Sequence, residues 1–160
     1  MDAVDNILAQ WAKEKPGMDT LAMGIMGRFA RLIKHLEQAI SDCHKAYDLK
    51  PGEFDVLATL RRSGAPYRLT PSDLLSSMML TSGAMTNRLD RLEEKGLIVR
   101  EHSQTDRRSI EVCLTAKGIS TLAQVLTSHV ETQKKALAGL SQDEQQALNG
   151  LLKNWLSQFE

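Results

Sequence analysis

The sequence predicts a mainly α-helical chain: a winged helix-turn-helix with a two-stranded wing and long helices on either side. Three observations carry that prediction. Two short helical stretches, about residues 71–78 and 82–95, are separated only by Met79-Leu80-Thr81, the spacing of a helix-turn-helix. Directly after Gly96 the apolar period drops from about 3.6 residues to 2, as in a strand pair. Apolar stripes of helical period flank this region over residues 19–47 and 142–159.

Each element has its own signal. Val4, Ile7, Leu8 and Trp11 repeat at helical spacing over residues 2–14, and Pro16-Gly17 ends that helix. Ile25, Phe29, Leu32, Ile33, Leu36, Ile40 and Cys43 form one stripe on the long helix 19–47. A helix of that length usually has a partner, in this chain or another. Pro51 suits a first helical position, and Phe54, Leu57, Ala58 and Leu60 continue to Arg62. Ser63-Gly64-Ala65-Pro66 breaks the run. Thr70 caps the first helix of the pair, Thr81 or Ser82 caps the second, and Gly96 closes it. Residues 97–101 and 110–114 read as a hairpin joined by a polar loop. After Thr115-Ala116-Lys117-Gly118 a long helix reaches Leu137, and Ser141-Gln142-Asp143-Glu144 is a capping box for the last. The expected division is 1–49, 50–118 and 119–160, as parts of one structural domain.

Composition narrows the function classes. The chain has 160 residues, 42% hydrophobic and 25% charged, which fits one domain with an ordinary core. No apolar run nears the roughly 20 residues that cross a bilayer, and the acidic N-terminus lacks a signal-peptide core, so a cytoplasmic protein without a membrane partner is expected. Two cysteines, Cys43 and Cys113, make neither a disulfide framework nor a zinc ribbon. His35, His44, His102 and His129 have no metal-ligand spacing, and neither a phosphate loop nor a nucleophile elbow occurs. The sequence therefore predicts no enzyme, no metal site and no cofactor. Net charge is zero, but residues 61–118 hold 10 Lys/Arg against 7 Asp/Glu while the flanking parts are acidic. A phosphate-binding surface would lie in that basic middle.

The second helix of the pair can be laid out at about 100° per residue. Met85, Leu89 and Leu92 share one face. Asn87 and Glu94 fall about 180–200° from Met85, and Arg91 about 240°. Thr81, Ser82, Thr86, Asn87 and Arg91 can then reach phosphates or base edges from the N-terminal end of the helix. A solvated helix face is the plainer alternative. Arg88 sits on the shoulder of the core face. It can snorkel along the core, pair with Glu93 or Asp55, or face an anion-binding crevice behind the helix. In the wing loop, Arg107 and Arg108 follow Asp106, two long cations suited to the negative potential of a minor groove.

The run Asp106-Arg107-Arg108-Ser109 with Leu114-Thr115-Ala116-Lys117-Gly118, together with Asn87-Arg88-Leu89-Asp90-Arg91-Leu92-Glu93 and Gly96-Leu97-Ile98, resembles the MarR family of bacterial transcription regulators. The resemblance spans essentially the whole chain. It implies a homodimer, built through the terminal helices, that binds double-stranded DNA and releases it on binding a small anionic effector. Repression is the implied default. Residues 53–62 and Gly64-Ala65-Pro66-Tyr67 further resemble the PecS and HucR branch, whose members respond to urate and carry a tryptophan on an added N-terminal helix. That resemblance implies a ligand set of Trp11, Asp55, Arg88 and Arg100 for urate or a related purine. The chemistry is consistent: a guanidinium pairs with a planar anion through parallel N–H donors, and an indole offers stacking area.

Three other readings make distinct demands. A MarR-type regulator could answer a phenolic or other aromatic anion. A protein-binding winged helix would not need the basic middle or the wing arginines. A thiol sensor would need a reactive cysteine, whereas Cys43 and Cys113 read as small buried hydrophobes.

Overall fold

The computed structural model describes residues 1–78, 85–103 and 108–160. The chain forms two compact units, residues 1–40 and 41–160. In the first, helix α1 (Ala3–Glu14) opens on a capping box in which Asp2 accepts from the Val4 and Asp5 N–H groups and Asp5 accepts from the Asp2 N–H. Arg28, on helix α2 (Leu21–Lys45), pairs with both Asp2 and Asp5. A glycine inside a helix costs about 1 kcal/mol against alanine, yet α2 carries two where α1 meets it. A Cβ on Gly27 would lie 3.3 Å from Val4 Cγ1, and one on Gly24 would lie 3.2 Å from Leu8 Cδ1. The glycines let α1 lie close. Helix α2 opens close to the expected start, and Asp19 accepts the Leu21 N–H at 3.0 Å just before it. Its apolar stripe, Ile25, Phe29, Leu32, Ile33 and Leu36, is exposed.

The second unit contains α3 (Glu53–Arg62), β1 (Arg68–Leu69), α4 (Pro71–Ser77), α5 (Met85–Glu94), β2 (Ile98–His102), β3 (Ile110–Leu114), α6 (Ala116–Ala136) and α7 (Gln142–Leu156). Helix α3 begins after Pro51, not at it. Gly52 has φ +81°, outside helical space, and leaves Pro51 in the preceding turn. Helix α4, the described part of α5 and the hairpin fall where the sequence put them. Thr70 caps α4 by accepting the Asp73 N–H, and the Ser141–Glu144 capping box opens α7. Leu57, Leu60, Leu74, Leu92, Ile98 and Val125 lie fully buried at the centre of this unit.

The expected two-stranded wing is a three-stranded antiparallel sheet in the order β1-β3-β2. The hairpin register runs from Ile98 opposite Leu114 to His102 opposite Ile110. The added strand pairs Arg68 with Cys113 and Leu69 with Val112. Two residues are too few to show a period, so nothing in the sequence marked it. The Thr-Ala-Lys-Gly run has a structural reason. Thr115 accepts the Gly118 N–H and donates to the Gly96 carbonyl at 2.7 Å. A Cβ on Gly118 would lie 2.0 Å from the Leu97 carbonyl oxygen, so only glycine lets α6 start against the first wing strand. The expected turn at Met79-Leu80-Thr81 and the wing residues 104–107 lie outside the described residues, and with them Thr81, Ser82 and Arg107.

Candidate nucleic-acid interface and effector site

Helix α5 is sided as its sequence requires. Leu89 and Leu92 are buried, while Thr86 and Asn87 are exposed. Arg108 is exposed just before β3. These are the described residues that meet the expected DNA-contacting set on an accessible surface. Arg91 belongs to that set by sequence, but its side chain is turned to α3. Its Nε donates to Glu53 Oε1 at 2.7 Å, and Lys95 Nζ reaches Glu53 Oε2 at 2.9 Å. Glu53 is 0% exposed. Burial alone would push its carboxyl pKa up, but bonds from Arg91, the Lys50 N–H and Lys95 hold it below the ordinary value.

The opposite flank of α5 is tied to the wing. Arg100 on β2 reaches Glu93 Oε2 at 2.5 Å and Asp90 Oδ1 at 2.8 Å, and its backbone N–H donates to Glu93 Oε1. Of the residues implied as a ligand set, Arg100 is therefore engaged by two carboxylates of α5. Those bonds hold the Glu93 carboxyl below its usual range and raise Arg100.

Asp55 and Arg88 are brought together where α5 meets the start of α3. The Arg88 guanidinium lies over Gly52 so closely that a Cβ there would stand 2.4 Å from Cζ. Arg88 Nη1 is buried with no hydrogen-bond partner among the described residues. Asp55 is half-buried. Burial raises its pKa, opposed by the charges of Arg88 and His129. A buried guanidinium N–H without an acceptor, next to a carboxyl that burial disfavours as an anion, is a place where a planar anion can be received. Trp11 is on α1 in the first unit and is exposed. A cleft on that unit is lined by Asp2, Val4, Arg28, Arg31, Leu32 and His35, without Trp11.

Two features escaped the sequence. One is the burial of Glu53, since a glutamate in a first helical turn ordinarily signals only a favourable dipole. The other is a stack of His44, Phe54 and His129. Both imidazoles lie 4.4 Å from the Phe54 ring, and His44 Nε2 is 3.1 Å from His129 Nδ1. Burial, reinforced by His129, lowers the His44 pKa to about 4. Burial lowers His129 too, against the pull of Asp55. The two histidines are separated by 85 residues, so no local pattern pairs them. Among the described residues no group of three or more metal-ligating side chains converges. Cys43 and Cys113 are both free, and burial raises the Cys113 thiol pKa. No described helix is long and apolar enough to cross a membrane.

Residues 49–110 match the MarR family profile. The chain is 37% identical over 149 residues to the HTH-type transcriptional regulator PecS of Dickeya dadantii, covering 93% of this chain and 90% of that protein. It is 38% identical over 133 residues to the uncharacterized HTH-type transcriptional regulator YkoM of Bacillus subtilis, covering 82% and 84%. Among solved structures, wild-type MarR from Escherichia coli in its apo form superposes with a TM-score of 0.67 at 26% identity, covering 81% of this chain and 95% of that one. A MarR-like transcription regulator from Bacillus cereus gives a TM-score of 0.77 at 23% identity, covering 89% and 100%, a likeness of fold.

Proposed function

Because this chain belongs to the MarR family of transcription regulators, we propose that it is a repressor that binds pseudo-palindromic duplex DNA as a homodimer and releases it on binding urate or a related purine. The observation that carries the DNA reading is the sidedness of α5. It buries Leu89 and Leu92 and leaves Thr86 and Asn87 exposed at its N-terminal half, beside a wing that carries Arg108. Thr81, Ser82, Thr86 and Asn87 would meet phosphates and base edges in the major groove, and Arg107 and Arg108 the adjoining minor groove. Arg91 contributes through the carboxylate it holds.

The dimer reading is supported by large apolar side chains left exposed: Leu21, Ile25 and Leu32 on α2, and Leu151 and Leu156 on α7. A two-fold pair would present two reading helices about 34 Å apart, one DNA turn. The effector reading is supported by the likeness to PecS and by Arg88 Nη1, buried without a hydrogen-bond partner among the described residues, whose charge acts on Asp55. Arg88 is on the reading helix itself, so an anion drawn to it acts directly on that helix. Trp11 would stack on the purine and Arg100 would pair with it once freed from Glu93 and Asp90.

The test is fluorescence polarisation of a labelled fragment from upstream of the gene, titrated with protein alone, with urate and with salicylate. Binding weakened by urate and not by salicylate is expected. Binding indifferent to urate overturns the effector, and release by salicylate points to an aromatic acid instead. Undiminished DNA binding in Arg107→Ala and Arg108→Ala overturns the wing contact.

A further inference from the structure

The second half of α5 poses an electrostatic problem for a helix that enters a DNA groove. Asp90, Glu93 and Glu94 follow one another along it, and phosphates repel them. Only the N-terminal half, with Thr86 and Asn87, can approach DNA. The helix must therefore be held at a fixed tilt, C-terminal half away from the backbone. Two grips supply that hold. Arg100 ties down Glu93 and Asp90 on one flank. On the other flank Arg88, Arg91 and Lys95, at i, i+3 and i+7, face the first turn of α3. There the buried Glu53 takes Arg91 and Lys95 together, and Lys95 also reaches the Asp48 carbonyl. Lys117 in turn donates to the Lys95 carbonyl at 2.6 Å, so the end of α5 is fixed from α6 as well.

We infer that Glu53 is a positioning residue for DNA reading: it withdraws Arg91 from the phosphate-contacting set, holds Lys95 one turn later, and sets the tilt at which α5 meets the groove. A carboxylate with no exposed surface is a poor choice for stability alone, because an apolar side chain of similar volume packs without the cost of desolvating a charge. What the ion pairs add is direction. A guanidinium bonded through Nε and an ammonium one turn later fix the helix both along and about its axis.

The inference rests on the DNA-binding reading and is separable from it. Glu53→Gln, Glu53→Asp and Arg91→Met are compared with wild type for binding to the upstream fragment and to a scrambled duplex, over a range of salt, alongside thermal melts. Glu53→Gln is expected to weaken specific binding by about tenfold or more while scrambled-duplex binding holds or rises, since Arg91 and Lys95 lose the carboxylate that holds and neutralises them. Glu53→Asp recovers part of the specificity. Arg91→Met weakens specific binding with an unchanged salt slope, and combined with Glu53→Gln it adds less than about twofold. A folded Glu53→Gln with wild-type specificity overturns the inference. So does a salt slope that falls by about one in Arg91→Met, which marks a direct phosphate contact. If Glu53→Gln does not fold, the Arg91→Met slope decides alone. Wild type that binds no duplex overturns the regulator reading itself.

Discussion

Arg91 donates its Nε–H to Oε1 of Glu53 at 2.7 Å, and the carboxylate it reaches is wholly buried. Lys95 shares that carboxylate. Arg91→Met or Lys95→Met alone leaves Glu53 one cationic partner, and each is expected to lower unfolding free energy by about 1–3 kcal/mol. The double variant strands the buried charge and should cost more than the two single losses together. Urea denaturation of the four proteins checks this. Additive losses would mean that Glu53 is better solvated than its burial indicates.

Gly118 meets the Leu97 carbonyl where a Cβ would stand 2.0 Å away, against backbone that cannot swing aside. Gly118→Ala is expected to destabilise the protein by at least about 2 kcal/mol. Gly139, where nothing lies within 4 Å, is the control, and Gly139→Ala should be tolerated. Thermal melts of the two variants give the comparison directly.

His44 is held neutral down to about pH 4 by burial and by His129. Its unfolded pKa is near 6.5. Between those values the unfolded chain takes up a proton that the folded chain refuses, so stability should fall as pH drops through the window from 6.5 towards 4. Asp55 has a raised pKa and works in the opposite sense, since its contribution is lost as pH rises through the folded value. The histidine term is isolated by comparing wild type with His44→Gln. The difference in their unfolding free energies should change by roughly 1–3 kcal/mol across the window, to the disadvantage of wild type at the acid end. A pH-independent difference would show that His44 titrates normally.

Substitutions at Trp11 and Arg88 test the proposed effector response against DNA affinity. Trp11→Phe is expected to abolish release by urate while leaving DNA affinity within about twofold, since the proposed DNA-contacting set lies outside α1. Arg88→Ala should abolish release as well, and it also removes a side chain of the reading helix, so a change in affinity accompanies it. Polarisation titrations with increasing urate read both effects. Wild-type release in both variants would remove these two residues from the effector site.

Most of the fold was legible because its signals are local. The caps at Thr70 and Ser141, the stop at Gly96, the period change after it and the stripe on α2 each report one element through residues a few positions apart. The start of α3 was misplaced because Pro51 is a good first helical residue, and the left-handed Gly52 that forbids it shows only in the backbone. Strand β1 is too short to have a pattern. The candidate site was half legible. Residue type and the family likeness singled out Trp11, Asp55, Arg88 and Arg100. Pairing is long-range, however, so neither the commitment of Arg100 to Asp90 and Glu93 nor that of Arg91 to Glu53 could be read from spacing. The His44–Phe54–His129 stack escaped for the same reason.

The most direct measurement is selection of binding sites by the purified protein from a random pool of duplex DNA, which works without an operator sequence in hand. Enrichment of an inverted repeat with half-sites about one turn apart, roughly 10 base pairs, is the expected result. A pool that stays random through successive rounds, with folded protein, would contradict DNA reading by this winged helix.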